Sequence, residues 1–395
     1  MPLPLVRIVP CLLLAMAATL DAQAAPFTPR DDAQVLERVP ARSGSARARE
    51  LQALRAAAQR EPRNVQAAVT LARRYVEEAL AEGDPRYVGH AQAVLAPWWD
   101  EAAPPVPVRV LRAVLRQWDH RFDEALVDLD AAVAADPGHA EAWSWLAAVH
   151  MVRADYAAAR RACAGLAPLT TPLIGAGCTA YVDSMSGRAA DAARALGAAL
   201  AAARDVSPPE RLWALTRLAE IEERRGDLAA AERAYKEALA LGLPDTYLEA
   251  AHADFLLDRG RAAEVVRALA DRGRADVLLL RLALAAKAAG DARAAGWTRE
   301  LAARFDAARA RGDRTHEKEE ARFALALQGD AQRALALARS NFAVQKEAAD
   351  ARVLLEAAWA ARSRPAAAPA LDWLDRNGVE SVVLRALAAQ LKALP

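Results

Sequence analysis

Residues 226–244 read GDLAAAERAYKEALALGLP. The run is long enough for one helix and holds almost nothing able to do chemistry. It is built on alanine, the strongest helix former and one small enough to let a second helix come close. Its one large ring is Tyr235. It opens on a Gly-Asp turn and closes on Pro244, which removes a backbone N–H and stops a helix. A segment of this kind serves packing, and the question is whether it recurs.

The rest of the chain is written in the same style. Of 395 residues, 54% are hydrophobic but only 5% aromatic. That imbalance reflects alanine, with leucine and valine behind it, and runs of strand-favouring residues are scarce. The composition predicts an all-α protein. Lys and Arg total 52 against 51 Asp and Glu, for a net charge of +1. Both signs are interleaved along the predicted helices, as in AERAYKEA at 231–238, the pattern of solvated faces with local ion pairs. No basic block stands out, which argues against nucleic acid or an anionic membrane surface as partner.

The first 24 residues read as a cleaved leader. Arg7 precedes an apolar run from Ile8 to Leu20, and Ala22-Gln23-Ala24 supplies a small-x-small cleavage signal. The run falls short of the roughly 20 residues a membrane-spanning helix needs. Cys11 follows Val9-Pro10 inside it and makes a poor lipidation site. The expected location is therefore the periplasm of a Gram-negative bacterium, with cleavage near Ala24 and no transmembrane segment in the mature chain.

Gly226-Asp227 does recur. Comparable turns stand at Gly187-Arg188, Gly260-Arg261, Gly290-Asp291 and Gly329-Asp330, at intervals of 39, 34, 30 and 39 residues. A period in the thirties with a turn inside each unit indicates stacked helical hairpins. Phe122, Ala125, Leu129 and Ala132 mark one unit, closed by Asp136-Pro137. Trp143, Leu146, Ala147 and Ala159 mark the next, and Leu218, Ala219, Gly226, Ala231, Tyr235, Ala238 and Pro244 a third. This alternation of small and large positions resembles the tetratricopeptide repeat. The resemblance implies a right-handed superhelical solenoid in which Ala231 sits at a helix crossing and Tyr235 fills the gap toward the next unit. The chain is also similar to exported tetratricopeptide proteins of proteobacteria.

On this reading residues 25–47 are flexible and residues 48–378 form about eight or nine hairpins. Those in 106–244 are the most regular, with units at 106–139, 140–172 and 212–244, and residues 379–395 are a capping helix. Units beginning near 64, 173, 246, 276 and 315 are degenerate, and in the last Arg322 occupies a place where a small residue is expected. APWWDEAAPPVPVRV (96–110) predicts an extended connection after the first hairpin, and SRPAAAPA (363–370) a second break. In the final helix Val383, Leu384, Leu387, Leu391 and Leu394 form the one-sided stripe that a terminal cap requires.

Two cysteines remain after the leader. Cys163 falls on a second helix and Cys178 on the next first helix, with the turn midway between them, so antiparallel packing brings them level. In an oxidising compartment they are predicted to form a disulfide. Gly175-Ala-Gly177 fits a loose dinucleotide fingerprint but lacks the preceding strand, so small residues in a helix explain it better. The six histidines are scattered, and HEKEEAR at 316–322 reads as a solvent-exposed helix start. No nucleophile motif or metal-ligand spacing is present, and neither catalysis, metal nor cofactor is expected.

What remains is the groove. The family pattern turns Trp118, Glu141, Met151, Tyr181, Met185, Trp213, Glu220, Tyr247 and Asp254 toward the concave face. Rings with carboxylates between them suit a peptide segment of another protein. The Lys/Asn arrangement that clamps a C-terminal carboxylate in some of these domains is missing. The expected function is a non-catalytic interaction scaffold serving an envelope assembly such as secretion, polysaccharide export, pili or transport. A rival, a carrier of a small ligand or metal, needs at least three His, Asp or Glu side chains converging in one pocket. A third, an envelope hydrolase, needs a paired-carboxylate cleft.

Overall fold

The structure is a computed structural model that describes residues 46–394. The expected leader and the segment up to residue 45 lie outside the described residues. A compact unit begins at Glu50 and takes in the rest of the chain.

Among the described residues there are twenty α-helices and no strands. After α1 (Ala46–Arg60) come hairpins α2 (Val65–Glu82) with α3 (Arg86–Leu95), α4 (Val106–Trp118) with α5 (Phe122–Ala135), and α6 (Ala140–Val152) with α7 (Tyr156–Leu166). Next are α8 (Pro172–Ser184) with α9 (Ala189–Ala202), α10 (Pro208–Arg225) with α11 (Leu228–Ala240), and α12 (Thr246–Leu257) with α13 (Ala262–Leu269). The last three pairs are α14 (Asp276–Ala289) with α15 (Ala294–Ala310), α16 (Glu317–Phe323) with α17 (Ala331–Val344), and α18 (Ala348–Ala360) with α19 (Arg364–Arg376). Helix α20 (Val382–Lys392) closes the array. Stacked in order, the hairpins make a helical solenoid.

One device makes each hairpin turn. A residue in the left-handed region ends the first helix, and the second starts two to four residues later. Gly226 does so at φ +86°, and the Asp227 carboxylate accepts the Ala230 N–H at 3.0 Å. Gly329-Asp330 repeats the pair, with Asp330 capping Arg333 N at 3.0 Å. The same turn is made without glycine by His120 (φ +58°), Ala154 (φ +60°) and Arg362 (φ +51°). The turn at Ala154 is the one the sequence places at Asp155-Tyr156; residues other than glycine pay about 1–2 kcal/mol for this conformation.

Two boundaries depart from expectation. The unit expected to open at Leu212 opens at Pro208, where Ser207 and Glu210 form a reciprocal capping box and proline suits the first helical position. SRPAAAPA is not a break: it is the start of α19, with Pro365 in the first turn and Pro369 inside the helix. The connection 96–105 begins with a 3-10 turn, Ala96–Trp98, rather than an extended strand. Arg112 then ties it down, donating to the carbonyls of Trp99 (2.6 Å) and Glu101 (2.9 Å).

The alanines act as expected. Ala231 and Ala238 are fully buried, and Tyr235 is the largest fully buried side chain. Where helices cross still more tightly, glycine replaces alanine: a Cβ on Gly165 would meet the Trp143 ring at 2.7 Å, and one on Gly177 would overlap Trp213. Of the two dinucleotide-like glycines, Gly177 is thus a seat for a tryptophan, while Gly175 lies against Ala167. Cys163 and Cys178 form the predicted disulfide, Cα–Cα 5.6 Å, joining α7 to α8.

Three buried clusters make the core. One lies under α1–α4 and one under α8–α16. The third is not local. It joins Val110–Met185 to Ala321–Leu391, so the last hairpins pack back onto the early ones. Trp373 on α19 donates its indole N–H to the Tyr156 hydroxyl on α7 at 3.1 Å, and Lys346 N bonds Val152 O at 2.8 Å.

Candidate functional site

The inner face of the array is identified by contacts that skip hairpins. In a curved stack only the concave side brings distant first helices together. Tyr181 on α8 donates to Glu347, at the start of α18, at 3.3 Å. Asp254 on α12 bonds Arg322 on α16 at 2.6 Å, and Glu141 on α6 pairs with Arg73 on α2.

The richest stretch lies on α8, α10 and α12. Tyr181 and Arg217 are each the tenth residue of their helices. The Arg217 guanidinium sits 4.7 Å from the Tyr181 ring centroid and 4.7 Å from that of Tyr247, clasped between two aromatic faces. It also pairs with Glu220 at 2.9 Å, and the Tyr247 hydroxyl donates to the same carboxylate. Burial of the hydroxyl ends pushes both tyrosines well above their ordinary range, with Glu347 adding to the effect at Tyr181 and Glu220 at Tyr247. Tyr247 nonetheless leaves 49% of its surface to solvent while its hydroxyl is bonded to Glu220.

A second group adjoins it. Asp254 receives Arg281 (2.7 Å) and Arg322 (2.6 Å). Burial opposes its ionisation, but the two guanidiniums outweigh burial and hold the carboxyl well below its usual range. Further along, Lys318 lies 3.6 Å from Glu319 and 3.9 Å from Asp350. Asp350 accepts Asn341 Nδ2 and Glu347 N, each at 2.9 Å, and burial raises it to about 7. HEKEEAR is therefore not a solvated helix start: Glu319 and Glu320 are buried and paired. Arg322, out of place by the repeat pattern, is the arm that reaches Asp254, and a five-residue π segment, Ala324–Gln328, follows its helix.

Of the residues expected in the groove, Tyr181, Glu220, Tyr247 and Asp254 are brought together on this face, and Glu141 lies on it toward the N-terminal hairpins. Met151 and Met185 are buried in the core, because their side chains fall between repeats instead of in front of them. Trp213 lies over Gly177 of the neighbouring helix, and Trp118 packs on the N-terminal cluster. Sequence reading missed Arg217, Arg281, Lys318 and Glu347. The helical position that Arg217 shares with Tyr181 was the available signal.

The arrangement holds rings and paired charges in place and presents no activated nucleophile. No group of three or more His, Cys, Asp or Glu is placed to hold a metal among the described residues. No helix there is long and apolar enough to cross a membrane.

Residues 119–171, from the turn before α5 through α7, match the family model described as tetratricopeptide repeat. That stretch carries a tetratricopeptide repeat. Among curated proteins no relative matches. Of solved structures, the human IFIT1 dimer with PPP-AAAA is similar at 13% identity, over 88% of this chain and 87% of that one, with a TM-score of 0.46. A tetratricopeptide repeat protein from Parabacteroides merdae matches at 13% identity, over 72% and 98%, with a TM-score of 0.32. At these values the likeness says nothing about what this array binds.

Proposed function

We propose that this chain is an exported, non-catalytic interaction scaffold that binds a segment of another protein on the concave face of its tetratricopeptide array, in the service of an envelope assembly. The observation that carries the reading is Tyr247, a half-exposed ring fixed in orientation by Arg217 and Glu220. A pre-positioned aromatic anchor costs little entropy on binding and is the usual energetic centre of an interface. The paired charges around it supply hydrogen-bonding edges at a fixed spacing. Export is supported by the Cys163–Cys178 disulfide, since such bonds persist in oxidising compartments.

The test replaces Tyr247 with a photo-crosslinking phenylalanine in cells. A second strain carries it at Val127 on α5, which is 69% exposed. A discrete adduct from position 247 and none from 127 is the expected result. The same adduct from both positions, or none from 247, overturns the reading. N-terminal sequencing of the mature chain from the periplasmic fraction, expected to begin after Ala24, tests export separately.

A further inference from the structure

Where the last hairpins pack back on the early ones they line a half-open cavity of about 820 Å³. It is lined from the α6–α7 turn, α17, the α17–α18 connection, α18 and α19. Its charged lining is one-sided: Arg153, Arg339, Lys346 and Arg376, with no carboxylate among the lining residues. In a chain with nearly equal numbers of both signs, four cations around one cavity is an unusual local excess. Most guanidiniums on this array are matched. Here Arg153 alone has an acidic partner, the exposed Asp123 at 3.4 Å, and Arg376 bonds only the carbonyl of Asp372 at 3.2 Å. Lys346 is destabilised as a cation by its own burial and by Arg153 and Arg376 facing it. The floor is apolar, from Ala336, Ala343 and Pro369 together with the nearly buried rings of Phe342 and Trp373, which meet edge to face at 6.0 Å.

We propose that this cavity binds a small organic anion, an apolar or aromatic body carrying a phosphate or carboxylate group. Cations that repel one another across a partly desolvated space gain most from an anion that neutralises them. The volume is that of a small-molecule site, and the floor gives the organic part somewhere to leave water. Inorganic phosphate satisfies the rim but not the floor, and a neutral aromatic the floor but not the rim.

The experiment is isothermal titration of the full mature chain with 2-naphthyl phosphate, 2-naphthol and inorganic phosphate. The phosphate ester is expected to bind about tenfold or more tightly than either control, with affinity falling as salt rises. Arg339→Ala with Arg376→Ala removes two exposed rim cations that make no ion pair among the described residues. That variant is expected to lose about tenfold or more in affinity, while the Arg-to-Lys double variant keeps most of it. Arg233→Ala, an exposed arginine on α11, is the control for net charge and is expected to bind as wild type. Circular dichroism establishes that each variant is folded. No binding of the ester at about 1 mM, equal binding of 2-naphthol, or undiminished binding by the folded alanine double variant overturns the proposal.

Discussion

Asp128 shows how much one buried carboxylate can hold. It takes a two-pronged bond from Arg112 (2.7 and 2.8 Å) and a third from Arg116 (2.6 Å), with Arg112 and Asp128 both buried. Arg112 in turn anchors the loop of Trp99 and Glu101. Asp128→Ala leaves a buried guanidinium without its counter-charge, a change that costs about 3–5 kcal/mol; the midpoint of urea unfolding is the measure. Glu223 behaves differently. It accepts the Tyr235 hydroxyl at 3.0 Å, and burial raises it from 4.5 to about 7. The folded state thus holds this proton more tightly than the unfolded chain, so its contribution to stability is full below about pH 4.5 and is lost as pH rises toward 7. Glu223→Gln should flatten the fall in melting temperature across that window, and an unchanged pH profile would contradict the assignment. Neither role is legible in the sequence, where Asp128 and Glu223 are two of many acidic residues on alanine-rich helices. Only the partner brought in by packing separates them.

At the scale of the element, period and alanine content gave the hairpins, and the misses were at their ends. The glycine turns were visible because Gly226 and its equivalents announce a left-handed residue. Arg362 occupies the same conformation silently, with its side chain in solvent. Arg362→Gly should therefore stabilise the protein by up to about 1 kcal/mol, since the left-handed strain is relieved and no contact is lost; a lower unfolding midpoint would count against it. The crossing of α8 and α10 gives the opposite case. Gly177→Ala forces the Trp213 ring aside and is expected to cost about 1–3 kcal/mol by overpacking. The same logic explains which groove residues were misplaced. The family pattern says which helices face inward. It does not say whether Met151, Met185 or Trp213 stops in front of the neighbouring helix or slides behind it. That depends on the size of the facing residue, a glycine in the case of Trp213.

For the whole molecule the decisive fact is that hairpins far apart in sequence share a core. In a simple solenoid each repeat touches only its neighbours, and removing the last one leaves the others nearly intact. Here α19 bonds α7, and Glu380 caps the start of α9 through Ala189 N. Truncation after Arg362 should thus speed amide hydrogen exchange in α7 and α9 as well as in α18. Protection unchanged in α7 would show that the shared core contributes little. The disulfide strengthens the same region, closing a chain segment of 15 residues across a hairpin boundary. Its loss, by Cys163→Ser with Cys178→Ser, should cost about 3 kcal/mol.

Closure of this sort also sets a count. Families of stacked hairpins change length by duplicating or dropping units, each new one lengthening the stack by a step. Between α8 and α18 that freedom is absent. A hairpin inserted there would carry Glu347 away from Tyr181 and Trp373 away from Tyr156, and one deleted would drive the two ends into each other. The contact between the seventh and nineteenth helices works as a gauge of array length. Descendants of this chain are expected to vary in the outer surfaces of their hairpins and in their tails, while keeping the number of hairpins between those two contacts.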